Sequence, residues 1–164
     1  MAKTVLVIDD DRDIREVART SLELVGGFTV IVAESGLRGM ALAQQARPDA
    51  IILDLMMPDF DGQQTLAQLK QLPEIAHIPV IMLTAKVQAS KLELLGKGAA
   101  GVLVKPFDPM QLPNQVCEIM GCRQGFLPKL LVGNARTQVF GKALQRCDPF
   151  QRFRPAVEPN FLQR

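Results

Sequence analysis

Through its first 120 residues the chain repeats one alternation: about five β-branched or apolar residues, then a longer segment whose apolar positions recur every three or four. The short runs have the length and composition of strands, and the longer ones have the period of a half-buried helix. Strands that are apolar on both faces need cover on both sides, so the alternation predicts a parallel sheet with helices against each face. Strands are expected at Thr4–Ile8, Phe28–Ala33, Ala50–Leu53, Val80–Thr84 and Gly101–Val104.

Between the first two strands, Ile14, Val17, Ala18, Ser21, Leu22 and Val25 share one helical face, and Gly26 is placed to stop the helix in a left-handed conformation. The second helix follows Ser35 as N-cap and ends before Pro48. The third follows Asp61 and turns Leu66, Leu69 and Leu72 inward. The fourth, around Ala89–Leu95, has the weakest periodicity and is expected to be short. In the fifth, Leu112, Val116 and Ile119 share a face, but Pro113 cannot donate a helical hydrogen bond, so the helix should start late or kink.

Composition sets the outer limits. With 164 residues, 48% of them hydrophobic and 22% charged, the chain can build one dominant core and not two full domains. It has no Trp, no Tyr and eight Phe, which argues against base-stacking platforms. No apolar run approaches the roughly 20 residues that span a bilayer, and the start, MAKTVLVIDDD, turns acidic too soon for a signal peptide. Cys117, Cys122 and Cys147 are odd in number and form no CxxC pair, so a reduced, cytoplasmic setting is expected.

Charge divides the chain. Residues 1–120 carry 11 basic and 15 acidic side chains, whereas residues 121–164 carry 8 and 2, with five of the eight Phe. The expected organisation is a folded domain over 1–121 and a basic, Pro- and Phe-containing, poorly ordered extension over 122–164.

The few polar residues at the strand ends carry the chemistry. Asp9, Asp10 and Asp11 follow the first strand, Asp54 the third, Thr84 closes the fourth and Lys105 follows the fifth, while the second contributes nothing. Open α/β sheets bind ligands beyond the carboxyl ends of their strands, where strand order reverses. With the order 2-1-3-4-5, that point lies between strands one and three, and Asp9, Asp10 and Asp54 would meet there. Crowded carboxylates raise one another's proton affinity unless a cation neutralises them. An all-oxygen site without His or Cys suits Mg2+ better than zinc. Mg2+ with a Lys ammonium and a Thr hydroxyl forms a receptor for phosphoryl oxygens, and a carboxylate can be the acceptor.

These segments resemble the receiver domains of two-component response regulators. The resemblance rests on VLVIDDD at 5–11, IILDLMMPDFDG at 51–62, VIMLTA at 80–85 and GAAGVLVKPF at 98–107, in order and together covering about residues 1–121. It implies a flavodoxin-like, doubly wound five-stranded sheet, and the strand order used above is the family's own. It also implies that Asp54 accepts the phosphoryl group and that Asp9, Asp10, Asp54 and the Met56 carbonyl hold Mg2+. Thr84 and Lys105 would bind phosphoryl oxygens, and Pro106 would follow a cis peptide bond.

One position departs from the family. Three residues before the Lys, where an aromatic or His is usual, stands Val102, which cannot swap between exposed and buried rotamers over the same distance. Phosphorylation is expected to survive this change, whereas the conformational readout has lost its usual device.

The resemblance implies a phosphorylation-controlled switch without a built-in output domain and without turnover of an external substrate. Its partners would be a sensor histidine kinase or His-phosphotransfer protein and a downstream target protein. No direct nucleic-acid or membrane contact is expected, and the state would be a monomer or a phosphorylation-dependent dimer. Two alternatives stand beside it. A haloacid-dehalogenase-type phosphatase would use Asp9 as nucleophile and Asp11 as general acid, leaving residues 54–62 without a task. A non-switching scaffold would be favoured by Val102.

Overall fold

The computed structural model describes residues 2–58, 61–85 and 89–122. Among these residues five strands, β1 (Thr4–Ile8), β2 (Thr29–Ala33), β3 (Ala50–Asp54), β4 (Val80–Thr84) and β5 (Gly101–Val104), pair in parallel in the order β2-β1-β3-β4-β5. The helices between and after them are α1 (Arg12–Thr20), α2 (Gly36–Ala46), α3 (Gly62–Gln71), α4 (Ala89–Gly96) and α5 (Leu112–Ile119).

Alternation along the strands divides the core into two layers. Leu6, Ile8, Ile51, Leu53 and Met82 point to one face, where Ala43 of α2, Leu66 and Leu69 of α3 and Leu94 of α4 cover them. Val5, Val7, Ile52, Ile81 and Leu83 point to the other and pack with Ala18 of α1, Leu22, and Leu112 and Val116 of α5. β1, β3 and β4 lie inside the sheet and are covered on both sides, which is why their runs are apolar throughout.

The local expectations at helix starts hold. The Ser35 side chain accepts from Arg38 N–H, and the Asp61 side chain accepts from Gln63 N–H. α4 is eight residues long, and α5 starts late, with Pro113 in its first turn, where a missing N–H costs no helical bond. Leu72 is only partly buried.

The end of α1 departs from the expected pattern. The helix widens into a π-helical turn at Ser21–Val25, and the left-handed glycine is Gly27 (φ +63°), whereas Gly26 stays right-handed (φ −85°). A π turn takes up an extra residue and moves the stop one position on. The same turn buries the Ser21 hydroxyl, which donates to the Pro109 carbonyl in the loop before α5. Val17 is 41% exposed and does not join the buried face.

The extension over 122–164, including 138–147, where Val139, Phe140, Ala143 and Leu144 are spaced for a brief amphipathic helix, lies outside the described residues, apart from Cys122. Cys147 also lies outside them.

Candidate functional site

The site begins with where each strand stops. The β1 ladder ends at Ile8, and Asp9 N–H still donates to Ala33 O at 3.1 Å before the chain turns away into α1. Asp54 is the last residue of β3, and the next amide, of Leu55, donates to Leu83 O of β4 at 2.9 Å. Lys105 N–H donates to Thr84 O at 2.8 Å, tying the end of β5 to the end of β4. The carboxyl ends of β1, β3 and β5 thus deliver polar side chains to one cleft of about 240 Å³, lined by Asp9, Asp10, Asp11, Asp54, Met56, Ala85 and Lys105.

Within it, Asp9, Asp10 and Asp54 each offer a carboxylate oxygen, all within 4.8 Å of one another. Asp9 is fully buried, Asp54 is 3% exposed and Asp10 is exposed. The Lys105 ammonium bridges the two buried carboxylates, 2.7 Å from Asp9 Oδ2 and 3.1 Å from Asp54 Oδ1. The other Asp9 oxygen, Oδ1, accepts from Asp11 N–H at 2.9 Å. Thr84, 1% exposed, closes β4 beside them. The Lys105–Pro106 bond is cis.

Burial pushes the Asp54 carboxyl above the ordinary carboxylate range; the hydrogen bond from Lys105 opposes this, and the Asp9 charge adds to it. Burial works against the charged form of Lys105, but its bonds to Asp9 and Asp54 outweigh that and hold the ammonium above its usual value. Three convergent carboxylates against one ammonium leave two negative charges unanswered. One divalent cation would supply that difference, and an all-oxygen donor set suits Mg2+.

Asp11 has a separate task. Its Oδ1 accepts from Asp13 N–H at 2.8 Å and Ile14 N–H at 3.3 Å, capping α1. Both Asp9 oxygens are engaged, one by Lys105 and one by the Asp11 N–H, and the residue is fully buried, which does not suit the nucleophile of a phosphatase. Val102 sits in register with Met82 of β4 and packs, partly buried, on the core layer that α2, α3 and α4 cover.

Sequence reasoning left out two contributors. Arg15 Nη1 donates to the Asp9 and Asp10 carbonyls at 2.6 and 2.9 Å, and a single Arg one turn into a helix carries no sequence signal for this. Gly62 starts α3 against the backbone of Asp54 and Leu55; a Cβ there would lie 2.8 Å from Leu55 Cα. The signal for Gly62 was present in the DG pair after Pro58, but it reads first as turn chemistry.

Comparison with known proteins agrees with this geometry. Residues 5–117 match the response regulator receiver domain family. The chain is 43% identical over 113 residues to the DNA-binding dual master transcriptional regulator RpaA of Synechocystis sp., covering 68% of this chain and 46% of that protein. It is 36% identical over 113 residues to the phosphate regulon transcriptional regulatory protein PhoB of Pseudomonas aeruginosa, covering 68% and 49%. The matched region thus spans about half the length of these curated relatives. Among solved structures, the chemotaxis response regulator CheY4 of Vibrio cholerae superposes with a TM-score of 0.68 at 32% identity, covering 73% of this chain and 99% of that one. The receiver domain of the Francisella response regulator 1452 gives 0.67 at 32% identity, covering 74% and 99%.

Proposed function

Because the chain belongs to the response regulator receiver family, we propose that Asp54 is its phosphoacceptor and that phosphorylation there changes the affinity of the domain for a target protein. The observation that carries this reading is the placement of Asp54 at the centre of the cleft, bonded by Lys105 and flanked by Asp9 and Asp10.

An Asp54 carboxylate oxygen attacks the phosphorus of a phosphohistidine, presented by a sensor histidine kinase or a His-phosphotransfer protein. The P–O bond forms as the P–N bond breaks, and the imidazole leaves with its electron pair, taking up a proton. Asp54 must be ionised to attack, and the hydrogen bond from Lys105 favours that form against the cost of burial. As the phosphoryl group arrives, the Lys105 ammonium exchanges its Asp54 contact for a phosphoryl oxygen and keeps its bond to Asp9. Thr84, at the end of β4, offers its hydroxyl to another phosphoryl oxygen. Asp9, Asp10, Asp54 and the Met56 carbonyl would hold Mg2+, which supplies neutralisation of the charge on the transferring phosphoryl oxygens. Phosphoryl transfer asks mainly for this kind of positioning and charge stabilisation, and the domain turns over no external substrate.

Residues 1–121 form the receiver in this reading, and 122–164 are an extension beyond it. Val102 replaces the rotating aromatic side chain with a fixed β-branched one. The readout then falls to backbone movement around Thr84 and Lys105, which the Thr84 carbonyl ties together.

The test is intact mass and phosphosite mapping after incubation with Mg2+ and a small acyl phosphate. A single Mg2+-dependent phosphoryl group on Asp54, absent in Asp54→Ala, is the expected result. Label on Asp9 with turnover of the acyl phosphate would replace this reading with a phosphatase. Equal target affinity before and after phosphorylation would replace it with a non-switching scaffold.

A further inference from the structure

Asp10 differs from the two carboxylates it faces. Asp9 and Asp54 are buried and bonded, so their directions are fixed by packing and by Lys105. Asp10 is exposed, and its carboxylate accepts no hydrogen bond among the described residues. Its direction therefore depends on its own backbone.

That backbone is held from both sides. Arg15 Nη1 lies 2.6 Å from Asp9 O and 2.9 Å from Asp10 O, so one guanidinium nitrogen gives a hydrogen to each of two successive carbonyls. The first carbonyl belongs to the peptide group preceding Asp10 and the second to the one following it. Because peptide groups are planar, fixing both planes fixes the φ and ψ of Asp10 and with them the direction of its Cα–Cβ bond. The following peptide is also tied at its other end, since its N–H, that of Asp11, donates to Asp9 Oδ1 at 2.9 Å. Arg15 comes from the first turn of α1, which Asp11 caps.

We propose that Arg15 is a positioning residue for Mg2+ binding, acting through the two peptide groups that flank Asp10. The proposal rests on the reading of the acidic cluster as a Mg2+ site. Its sign separates it from a charge effect. A guanidinium beside the cluster repels a divalent cation, so removing its charge alone would tighten Mg2+ binding. Removing a clamp on a ligand weakens it, and lost outer partners of metal ligands commonly cost 10-fold or more in affinity.

The experiment titrates Mg2+ into the metal-free full chain and follows backbone amides by NMR in wild type, Arg15→Met and Arg19→Met. Amide hydrogen exchange is measured on the same samples before metal is added. Arg15→Met keeps the apolar stem and loses the fork. Arg19→Met removes the same charge from the same helix, where Arg19 pairs with Glu23 on the surface. A roughly 10-fold rise in Kd for Arg15→Met, with Arg19→Met near wild type, is expected. Faster exchange at the Asp11 amide, with Val7 unchanged, is expected in the metal-free Arg15 variant. Arg15→Lys, one atom shorter, is expected to lose part of the affinity and serves if the Met variant does not fold.

Unchanged or tighter Mg2+ binding in Arg15→Met overturns the proposal, as does faster exchange spread evenly along β1. A wild-type chain that takes up no Mg2+ overturns the reading of the cluster itself, an outcome separate from wild-type binding that Arg15→Met leaves intact.

Discussion

Lys105 answers for two buried carboxylates, and this makes the site a place where charge opposes folding. Asp54 is held above the ordinary carboxylate range by burial, so ionising it is harder in the folded chain than in the unfolded one. A raised acid contributes stability that is complete below its unfolded pKa and is lost as pH rises through the higher, folded value. With chelator present, urea unfolding followed by far-UV circular dichroism is therefore expected to show stability falling across that window in wild type. The difference between wild type and Asp54→Asn isolates this one group, because the Asn does not titrate; a difference that does not vary with pH would mean that burial does not govern Asp54. Mg2+ should reduce the fall by favouring the ionised form.

Two elements begin at the site, and their first residues serve different ends. Asp11 lines the cleft but spends its carboxylate on the N-terminus of α1. Asp11→Ala is expected to cost about 1 kcal/mol in urea unfolding and to leave acyl-phosphate labelling of Asp54 intact. Loss of labelling would give Asp11 a chemical role. Gly62, at the start of α3, is tight for another reason: a side chain there meets the Asp54 and Leu55 backbone, which cannot step aside. At Gly101 the added Cβ would lie 2.5 Å from the tip of Ile119 in α5, and none of its three nearest atoms belongs to the cleft. Gly62→Ala is therefore expected to lose about 1–3 kcal/mol and to slow Asp54 phosphorylation, whereas Gly101→Ala lowers stability and leaves the labelling rate near wild type. Equal labelling rates in the two variants would show that the approach of α3 does not place Asp54.

At the scale of the whole domain, the sheet separates two apolar layers among the described residues. Ile52 and Leu53 are neighbours in β3, both fully buried, yet they feed opposite layers. Ile52→Ala and Leu53→Ala are each expected to cost about 3 kcal/mol in urea unfolding, with transitions that stay cooperative because β3 belongs to both layers. A near-zero cost for either would mean that its layer is not needed to hold the sheet. Much of this plan was legible beforehand, since strand length, two-sided apolar runs and Ser35, Asp61 and Pro113 are local signals that act through neighbouring backbone. The candidate site was legible for a related reason: a side chain just past a strand's carboxyl end can only go to the rim, so Asp9, Asp54, Thr84 and Lys105 announced themselves by position. Other features depended on contacts between residues distant in sequence. The π turn at Ser21–Val25 goes with a buried hydroxyl 88 residues from its partner Pro109, and no pattern within α1 predicts it. Which carboxylate Lys105 bonds, which are buried, and that Arg15 grips the carbonyls on either side of Asp10 were likewise decided by packing. The sequence by itself determined the strands and helices, the N-caps Ser35 and Asp61 and the identity of the groups brought to the rim, because those follow from short-range sterics and hydrophobic period. Only the tertiary structure decided which of those groups are dehydrated and paired, because burial and hydrogen bonding are properties of the assembled sheet and helices.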